Sequence, residues 1–321
     1  MMHPEAITVA DELLRYSSCL IFTHVYPEGD AIGSMLALAL ALEQKGITVQ
    51  CYDKDGVPAN NAFLPTAERV LTSLPAVIPP LVIFVDAHKI ERCGVSREQL
   101  AGAQSIVRID HHISEGADIG LALVDTEAAA AGELVFEVIA RLCAELTPEI
   151  ATCLMTALMV DSGRFTYSNT TPNTHHIAAA LLAAGADTQL ISKEIWGCMP
   201  IAALTLLGRA MAALQVSSNG RVAWSHLHRA DYEETGAREE DTEGIIDHVR
   251  CTMGTVVAAL FTERNNVVRV SLRSQGDVDV AVLARTFGGG GHVKAAGITM
   301  DMPLDDAVAQ VLAAIDEALG S

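Results

Sequence analysis

The stretch RIDHHIS, residues 108–114, ends an apolar run in one carboxylate and two imidazoles: Asp110, His111 and His112. Such groups bind divalent metal ions, fix one another's orientation by hydrogen bonding, or move protons. Three other stretches carry the same types of residue. HVYPEGDAIGS supplies His24, Glu28 and Asp30, VDA supplies Asp86, and MVDSGRF supplies Asp161. Taken singly, an Asp after a strand usually caps a helix or forms a turn, and a single His is usually a hydrogen-bonded core or surface residue. Gathered at one place, several carboxylates would raise one another's pKa unless cations sat between them. A mixed His and carboxylate set suits Mn²⁺, Fe²⁺, Zn²⁺ or Mg²⁺ rather than Ca²⁺.

The elements that must position these residues alternate. Short apolar runs at 19–23, 48–52, 81–85 and 105–109 predict strands, and 31–44, 127–146, 148–159 and 175–184 predict helices, with Thr147 and Pro148 as the N-cap and first position of the third. Strands alternating with helices imply a mostly parallel sheet covered on both faces, an α/β fold. In such a sheet ligands bind beyond the carboxyl ends of the strands. His24, Asp86 and Asp110–His112 each follow a predicted strand, and Asp161 follows the predicted helix ending at Met159. Four elements thus deliver acidic and imidazole groups to one edge.

The pattern then changes. Residues 190–214 predict one or two helices broken near Met199-Pro200. Strands follow at 220–227, 256–263 and 267–273, with an Asn265-Asn266 turn, then helices at 278–286 and 304–319. The acidic segment 231–248 predicts a solvated loop and a helix start. We therefore expect a first domain over 1–188, a helical linker over 189–215, and a second, smaller α/β domain over 216–321.

Composition narrows the classes. The 321 residues are 50% hydrophobic but only 4% aromatic, with a net charge of -19 and five lysines; mean hydropathy is +0.30. No basic stripe for counterion release along long nucleic acid is visible. No secretory signal and no run of 18 apolar residues is seen, so no membrane partner and a cytoplasmic location are expected. Seven cysteines without a C-x-x-C pair read as reduced and buried.

The motifs H-x-x-P-x-G-D-A-x-G-S, VDA, DHH and M-x-DSGRF, in this order, resemble those of the DHH phosphoesterase superfamily. Downstream, SLRS (271–274) and FGGGGHVKAAG (287–297) resemble its C-terminal DHHA1 domain. Two domains without an extra OB-fold make the layout similar to the stand-alone oligoribonuclease and 3',5'-bisphosphate nucleotide phosphatase group, the NrnA-like proteins. The resemblance implies a metal-dependent phosphoesterase acting on short RNA, linear dinucleotides such as pApA, or pAp. It implies two divalent ions, Mn²⁺ first and Mg²⁺ next. One is held by His24, Glu28 and Asp86, the other by Asp30, Asp86, His111 and Asp161, with Asp86 shared. Asp110 orients an imidazole, and His112 donates to the scissile phosphate. Arg273, Ser274, Gly289, Gly290, Gly291 and His292 bind the substrate, the glycines by letting backbone N–H groups approach phosphate. A cleft between two domains and so few lysines imply two- to four-nucleotide substrates rather than long RNA. The resemblance allows a homodimer.

One departure stands out. The family usually carries Asp where this chain has Glu28, one methylene longer, and a smaller or polar residue where it has Tyr26. Three rival readings stand beside this one: an inorganic pyrophosphatase or exopolyphosphatase-like enzyme on the same metals, a nucleotide-binding regulatory protein whose catalysis Glu28 has weakened, and an RNA-binding module, which the acidic charge opposes. The GGGGH run argues against the first.

Overall fold

A computed structural model describes residues 3–112, 120–197, 199–264 and 267–320, except the side chain of His292; the Asn265-Asn266 turn therefore lies outside the described residues. The chain divides into two units, Met1–Cys198 and Met199–Ser321.

The first unit holds strands β1 (Ser18–Phe22), β2 (Thr48–Tyr52), β3 (Leu81–Val85), β4 (Ser105–Asp110) and β5 (Leu121–Val124). Its helices are α1 (Pro4–Leu13), α2 (Gly29–Gln44), α3 (Ala131–Arg141), α4 (Pro148–Asp161), α5 (Pro172–Ala183) and the short α6 (Thr188–Ser192). All five strands run parallel, in the order β2-β1-β3-β4-β5. A parallel sheet covered on both faces needs strands that are apolar throughout, and LVIFV of β3 is buried at every position. The chain leaves β1 toward one edge to form β2, then crosses back to form β3 on the other side of β1. That reversal opens a crevice at the carboxyl ends of β1 and β3.

The two faces are covered differently. Cys19, Ile21, Ile83, Val107 and Ile109 pack under α1–α4. Leu20, Phe22, Val82 and Phe84 instead meet Ile90, Cys93, Val95 and Leu100, carried by short 3₁₀ turns and loops. Stacked Phe22 and Phe84 rings, 5.2 Å apart, fill that side.

Two glycines bring α2 against α4. A Cβ on Gly33 would stand 2.4 Å from the Cys153 carbonyl oxygen, and one on Gly29 would stand 2.5 Å from a Val160 methyl. Only bare backbone lets the helices come this close, and the approach carries the start of α2, with Asp30, to the end of α4, with Asp161.

Several boundaries differ from the sequence expectation. Helix α2 begins at Gly29 rather than Ala31, because Glu28 is already its N-cap. Helix α3 covers only Ala131–Arg141 of the expected 127–146, the Ala run before it being drawn into the site. Helix α4 runs on to Asp161 itself. Helix α1 and strand β5 were not anticipated. Of the cysteines expected to be buried, Cys143 and Cys251 are exposed; both sit just beyond a helix end, outside the apolar face that packs. Cys198 lies outside the described residues.

The second unit holds α7 (Ile201–Ala212), β6 (Gln215–Val216), β7 (Val222–Leu227), α8 (Arg229–Thr235), α9 (Ile245–Arg250), β8 (Val257–Arg264), β9 (Val267–Ser274), α10 (Val280–Thr286), β10 (Gly290–His292), β11 (Ala295–Met300) and α11 (Leu304–Ala318). Its sheet is mixed, ordered β10-β11-β9-β8-β7-β6, with β7 and β8 parallel and the other pairs antiparallel. Alternation along β8 sends Val257, Ala259 and Phe261 to a core with α10 and α11, and Ala258 and Leu260 to a core with α7 and α9. The segment expected to be a solvated loop and a helix start, 231–248, contains the start of α9, whose Ile245, Ile246 and Val249 are buried, and also most of α8. Among the described residues no single helix is long and apolar enough to cross a membrane.

Candidate metal centre

Register sets the frame of the site. Phe22 pairs with Phe84 and Phe84 with Arg108. Two residues beyond that common level lie His24, Asp86 and Asp110, so three neighbouring strands end in three polar groups abreast. The Asp86 N–H donates to the Ile109 carbonyl at 2.9 Å, after which φ of 56° turns the chain left-handed. Asp tolerates that conformation better than bulkier residues do.

Asp86 is the hub. Its Oδ2 lies 3.4 Å from Nε2 of His24, and its Oδ1 lies 3.5 Å from Nε2 of His111. His24 Nε2 also stands 3.1 Å from Oε1 of Glu28, and His111 Nε2 stands 3.6 Å from Asp30 Oδ2 and 3.3 Å from Asp161 Oδ2. The donor atoms form compact groups, His24–Glu28–Asp86 and Asp30–His111–Asp161, with Asp86, His111 and His112 as a third. The longer Glu28 side chain reaches the group, and is half exposed.

These groups fit divalent cations. Both Asp86 oxygens and His111 Nε2 are buried and lack hydrogen-bond partners among the described residues, which is costly unless something else compensates them. The ring tautomers agree. Nδ1 of His24 stands 2.9 Å from the Val25 carbonyl and Nδ1 of His111 stands 3.2 Å from the Ala128 carbonyl. A carbonyl only accepts, so each Nδ1 carries a proton and Nε2 is the atom turned toward the carboxylates. An imidazole Nε2 facing carboxylates becomes part of the donor set of a metal site once a cation takes the place of its proton, with the carbonyls as the outer support of each imidazole. Two donors each about 2.1 Å from one ion stand about 3.0–3.4 Å apart, close to the spacings found here.

Protonation shows the same crowding. Burial alone would lower the His24 imidazole, but Asp86 and Glu28 outweigh it and push it up to about 11. Burial is likewise outweighed at His111, which Asp161, Asp86 and Asp30 push up to about 12. Burial raises Asp30 well above the carboxylate range, and Asp86 and Asp161 add to it. At Asp86 burial is overcome by His111 and His24, which hold the carboxyl below its ordinary value. Burial raises Asp161 despite His111, and Asp161 also ends a helix, where the dipole disfavours an anion. Cations among these groups would relieve every one of these conflicts.

Asp30 has a second set of contacts. Its Oδ1 accepts from Ser34 Oγ at 2.8 Å and from the Gly132 N–H at 3.0 Å, and its Oδ2 accepts from the Ala131 N–H at 2.6 Å. The start of α3 therefore clamps it. Asp110 holds His112: its Oδ1 accepts from the His112 N–H at 3.2 Å and from Nδ1 at 2.9 Å. That Nδ1 is also 3.3 Å from Asp86 Oδ1.

After Asp161 three successive residues, Gly163, Arg164 and Phe165, are left-handed. Ser162 ties this turn down, donating to the Leu158 carbonyl and accepting from the Phe165 N–H at 2.9 Å. The Arg164 guanidinium lies 5.2 Å from the centre of the Trp196 ring, a packing role.

The expected substrate-binding residues of the second unit cluster on β9–β11. Arg273 pairs with Ala295, and His292 with Ala295 from the other side. The side chain of His292 lies outside the described residues. The Arg273 guanidinium is 3.8 Å from Asp247. The buried Ser274 hydroxyl donates to the Val278 carbonyl at 2.7 Å and so holds the loop before α10. The glycine run has a packing role as well. A Cβ on Gly289 would meet the Gly297 carbonyl at 2.2 Å and one on Gly291 the Ala295 carbonyl at 2.4 Å, whereas Gly290 faces open space.

Sequence reasoning missed Ser34, the Ala131 and Gly132 amides and the Ala128 carbonyl. Ser34 carried a signal, four residues after Asp30 on one helix face. Backbone donors in an alanine run carry none.

Residues 18–158 match the DHH family, N-terminal domain, and residues 219–321 match the DHHA1 domain. The chain is 34% identical over 300 residues to the bifunctional oligoribonuclease and PAP phosphatase NrnA of Thermus thermophilus, covering 93% of this chain and 89% of that one. It is 24% identical to the protein of the same name from Bacillus subtilis, over 90% of this chain and 92% of that one. Its fold matches an exopolyphosphatase-related protein from Bacteroides fragilis with a TM-score of 0.91 at 23% identity, covering 100% and 97% of the two chains.

Proposed function

Because the chain belongs to the DHH family and carries a DHHA1 domain behind the DHH domain, we propose that it is a metal-dependent phosphoesterase of the cytoplasm. In this reading it hydrolyses short oligoribonucleotides or linear dinucleotides such as pApA to mononucleotides, and pAp to AMP. The observation that carries the reading is the division of the Asp86 carboxylate, one oxygen toward His24 and the other toward His111.

In this proposal His24, Glu28 and Asp86 hold one divalent ion, and Asp30, Asp86, His111 and Asp161 the other, with Mn²⁺ preferred. When bound, two such ions supply Lewis acidity to the phosphoryl oxygens and lower the pKa of water. The chain's own residues do the rest. Ala131, Gly132 and Ser34 keep Asp30 oriented, and the Val25 and Ala128 carbonyls keep the two imidazoles turned. Asp110 fixes His112 through Nδ1, leaving Nε2 to donate to a phosphate oxygen. In the DHHA1 domain, Arg273, the Gly289–Gly291 backbone and His292 take the substrate's phosphate, with Arg suited to paired phosphate contacts. The work is divided between residues 1–188 and 216–321, joined through 189–215.

The test is hydrolysis by purified protein with Mn²⁺ and with Mg²⁺, offering pApA, pAp, an RNA length series and pyrophosphate, beside His111→Ala. Release of mononucleotides from short substrates, lost in the variant, is expected. Equal cleavage of long RNA, or turnover of pyrophosphate alone, would refute the reading.

A further inference from the structure

Tyr26 stands two residues after His24 and two before Glu28, so its Cα lies within about 7 Å of each of theirs. Its backbone is left-handed, with φ of 57°, a conformation that bulky side chains rarely adopt. The loop is held in that shape from two sides. The Val25 N–H donates to the Arg92 carbonyl at 2.7 Å, and the Tyr26 N–H donates to Asp55 Oδ2 at 2.8 Å. Asp55 is itself tied, its N–H donating to Oδ1 of the buried Asp53 at 2.8 Å. Pro27 then fixes the next φ. The backbone under this ring is thus firmly set, yet the residue is 82% exposed.

Among the described residues packing gives the ring no task. Tyr167 provides the contrast: its ring covers Gly163, where an added Cβ would stand 2.4 Å away. Phe165 likewise stacks on His175 at 5.3 Å. Aromatic residues make up only 4% of this chain, and one of them is presented to solvent at the lip of the cluster that would bind phosphate.

We propose that Tyr26 is the platform on which a nucleobase of the substrate stacks. The inference rests on the phosphoesterase reading and deepens it by assigning a base-contacting residue to the first unit. A phosphate held at the cluster carries its ribose and base outward, toward the mouth of the site, where Tyr26 is the exposed flat surface within the same loop as two of the donors. Stacking on one π face tolerates any base, so the residue selects nucleotides over simple phosphate esters without reading sequence.

Steady-state kinetics on pApA and on its abasic analogue separate this role from others. Tyr26→Ala is expected to raise KM for pApA about fivefold or more, with the change in KM rather than kcat, and to leave KM for the abasic analogue unaltered. Tyr26→Phe keeps the π face and is expected to retain the wild-type KM. In direct binding, a 2-aminopurine dinucleotide with an unhydrolysable linkage is expected to be quenched by wild type and by Tyr26→Phe, but not by Tyr26→Ala. A wild-type KM in Tyr26→Ala, or an equal rise for the abasic analogue, overturns the proposal alone. Absence of wild-type turnover on both substrates overturns the phosphoesterase reading and takes this proposal with it.

Discussion

His111 Nε2 stands 3.5 Å from Oδ1 of Asp86, at the end of the neighbouring strand, and neither atom has a hydrogen-bond partner among the described residues. Two buried polar atoms left so are costly unless something compensates them, and a divalent cation bound by both would do so.

In the proposed reading Asp86 is the residue on which both ion sites depend. Asp86→Asn keeps the volume and removes the charge. Calorimetric titration with Mn²⁺ is expected to show loss of tight binding at both sites, with hydrolysis falling by at least about 100-fold. One site retained at wild-type affinity would mean that Asp86 is not shared.

Glu28 belongs to one group only. Among the described residues its carboxylate meets His24 and no other imidazole, and it is half exposed. Glu28→Gln is therefore expected to weaken one of two Mn²⁺ binding events and leave the other within about twofold. The reading in which Glu28 has disabled the site predicts instead no binding at the first site in the wild type.

Asp110 acts through His112. Removing its charge while keeping its shape, in Asp110→Asn, leaves Nδ1 of His112 less firmly held between Asp110 and Asp86. Supports of this kind are typically worth about 10–100-fold. Activity is expected to fall by about that factor while circular dichroism and Mn²⁺ stoichiometry stay as in the wild type.

Gly33 controls the helix contact that delivers Asp30. A methyl group there collides with the Cys153 carbonyl, and backbone cannot swing aside as a long side chain can. Gly33→Ala is expected to lower stability by about 1–3 kcal/mol in urea unfolding and to reduce metal affinity as Asp30 and Asp161 move apart.

His3 anchors α1 to the far edge of the sheet. Its Nε2 is 3.2 Å from Asp125 and its Nδ1 3.0 Å from Glu137. Burial would lower this imidazole, but Glu137 and Asp125 prevail and raise it above 6.5. A histidine raised on folding contributes stability that is complete below the unfolded value and is lost as pH climbs through the folded one. The stability difference between wild type and His3→Ala is therefore expected to be larger at pH 6 than at pH 9. A difference independent of pH would show that the ion pairs contribute nothing.

Much of this molecule is written locally. Apolar runs such as LVIFV can only be strands buried on both faces, and the groups that follow them, His24, Asp86 and Asp110, are legible because a parallel sheet collects its ligands at one edge. The glycine run, the DHH triplet and Glu28 are likewise visible as residue types. What the chain order could not convey is everything that depends on distance between remote segments. Register decided that His24, Asp86 and Asp110 end level with one another. The close approach at Gly33 decided how near Asp30 comes to Asp161. Backbone groups of an alanine run clamp Asp30, and carbonyls set the imidazole tautomers, although neither leaves a mark in side-chain identity. Nor does the sequence tell that the Ser274 hydroxyl meets the Val278 carbonyl. Residue type limits the chemistry a position can perform; which partner it meets is settled by packing between segments as remote as Asp30 and Ala131, and only the tertiary structure contains those contacts.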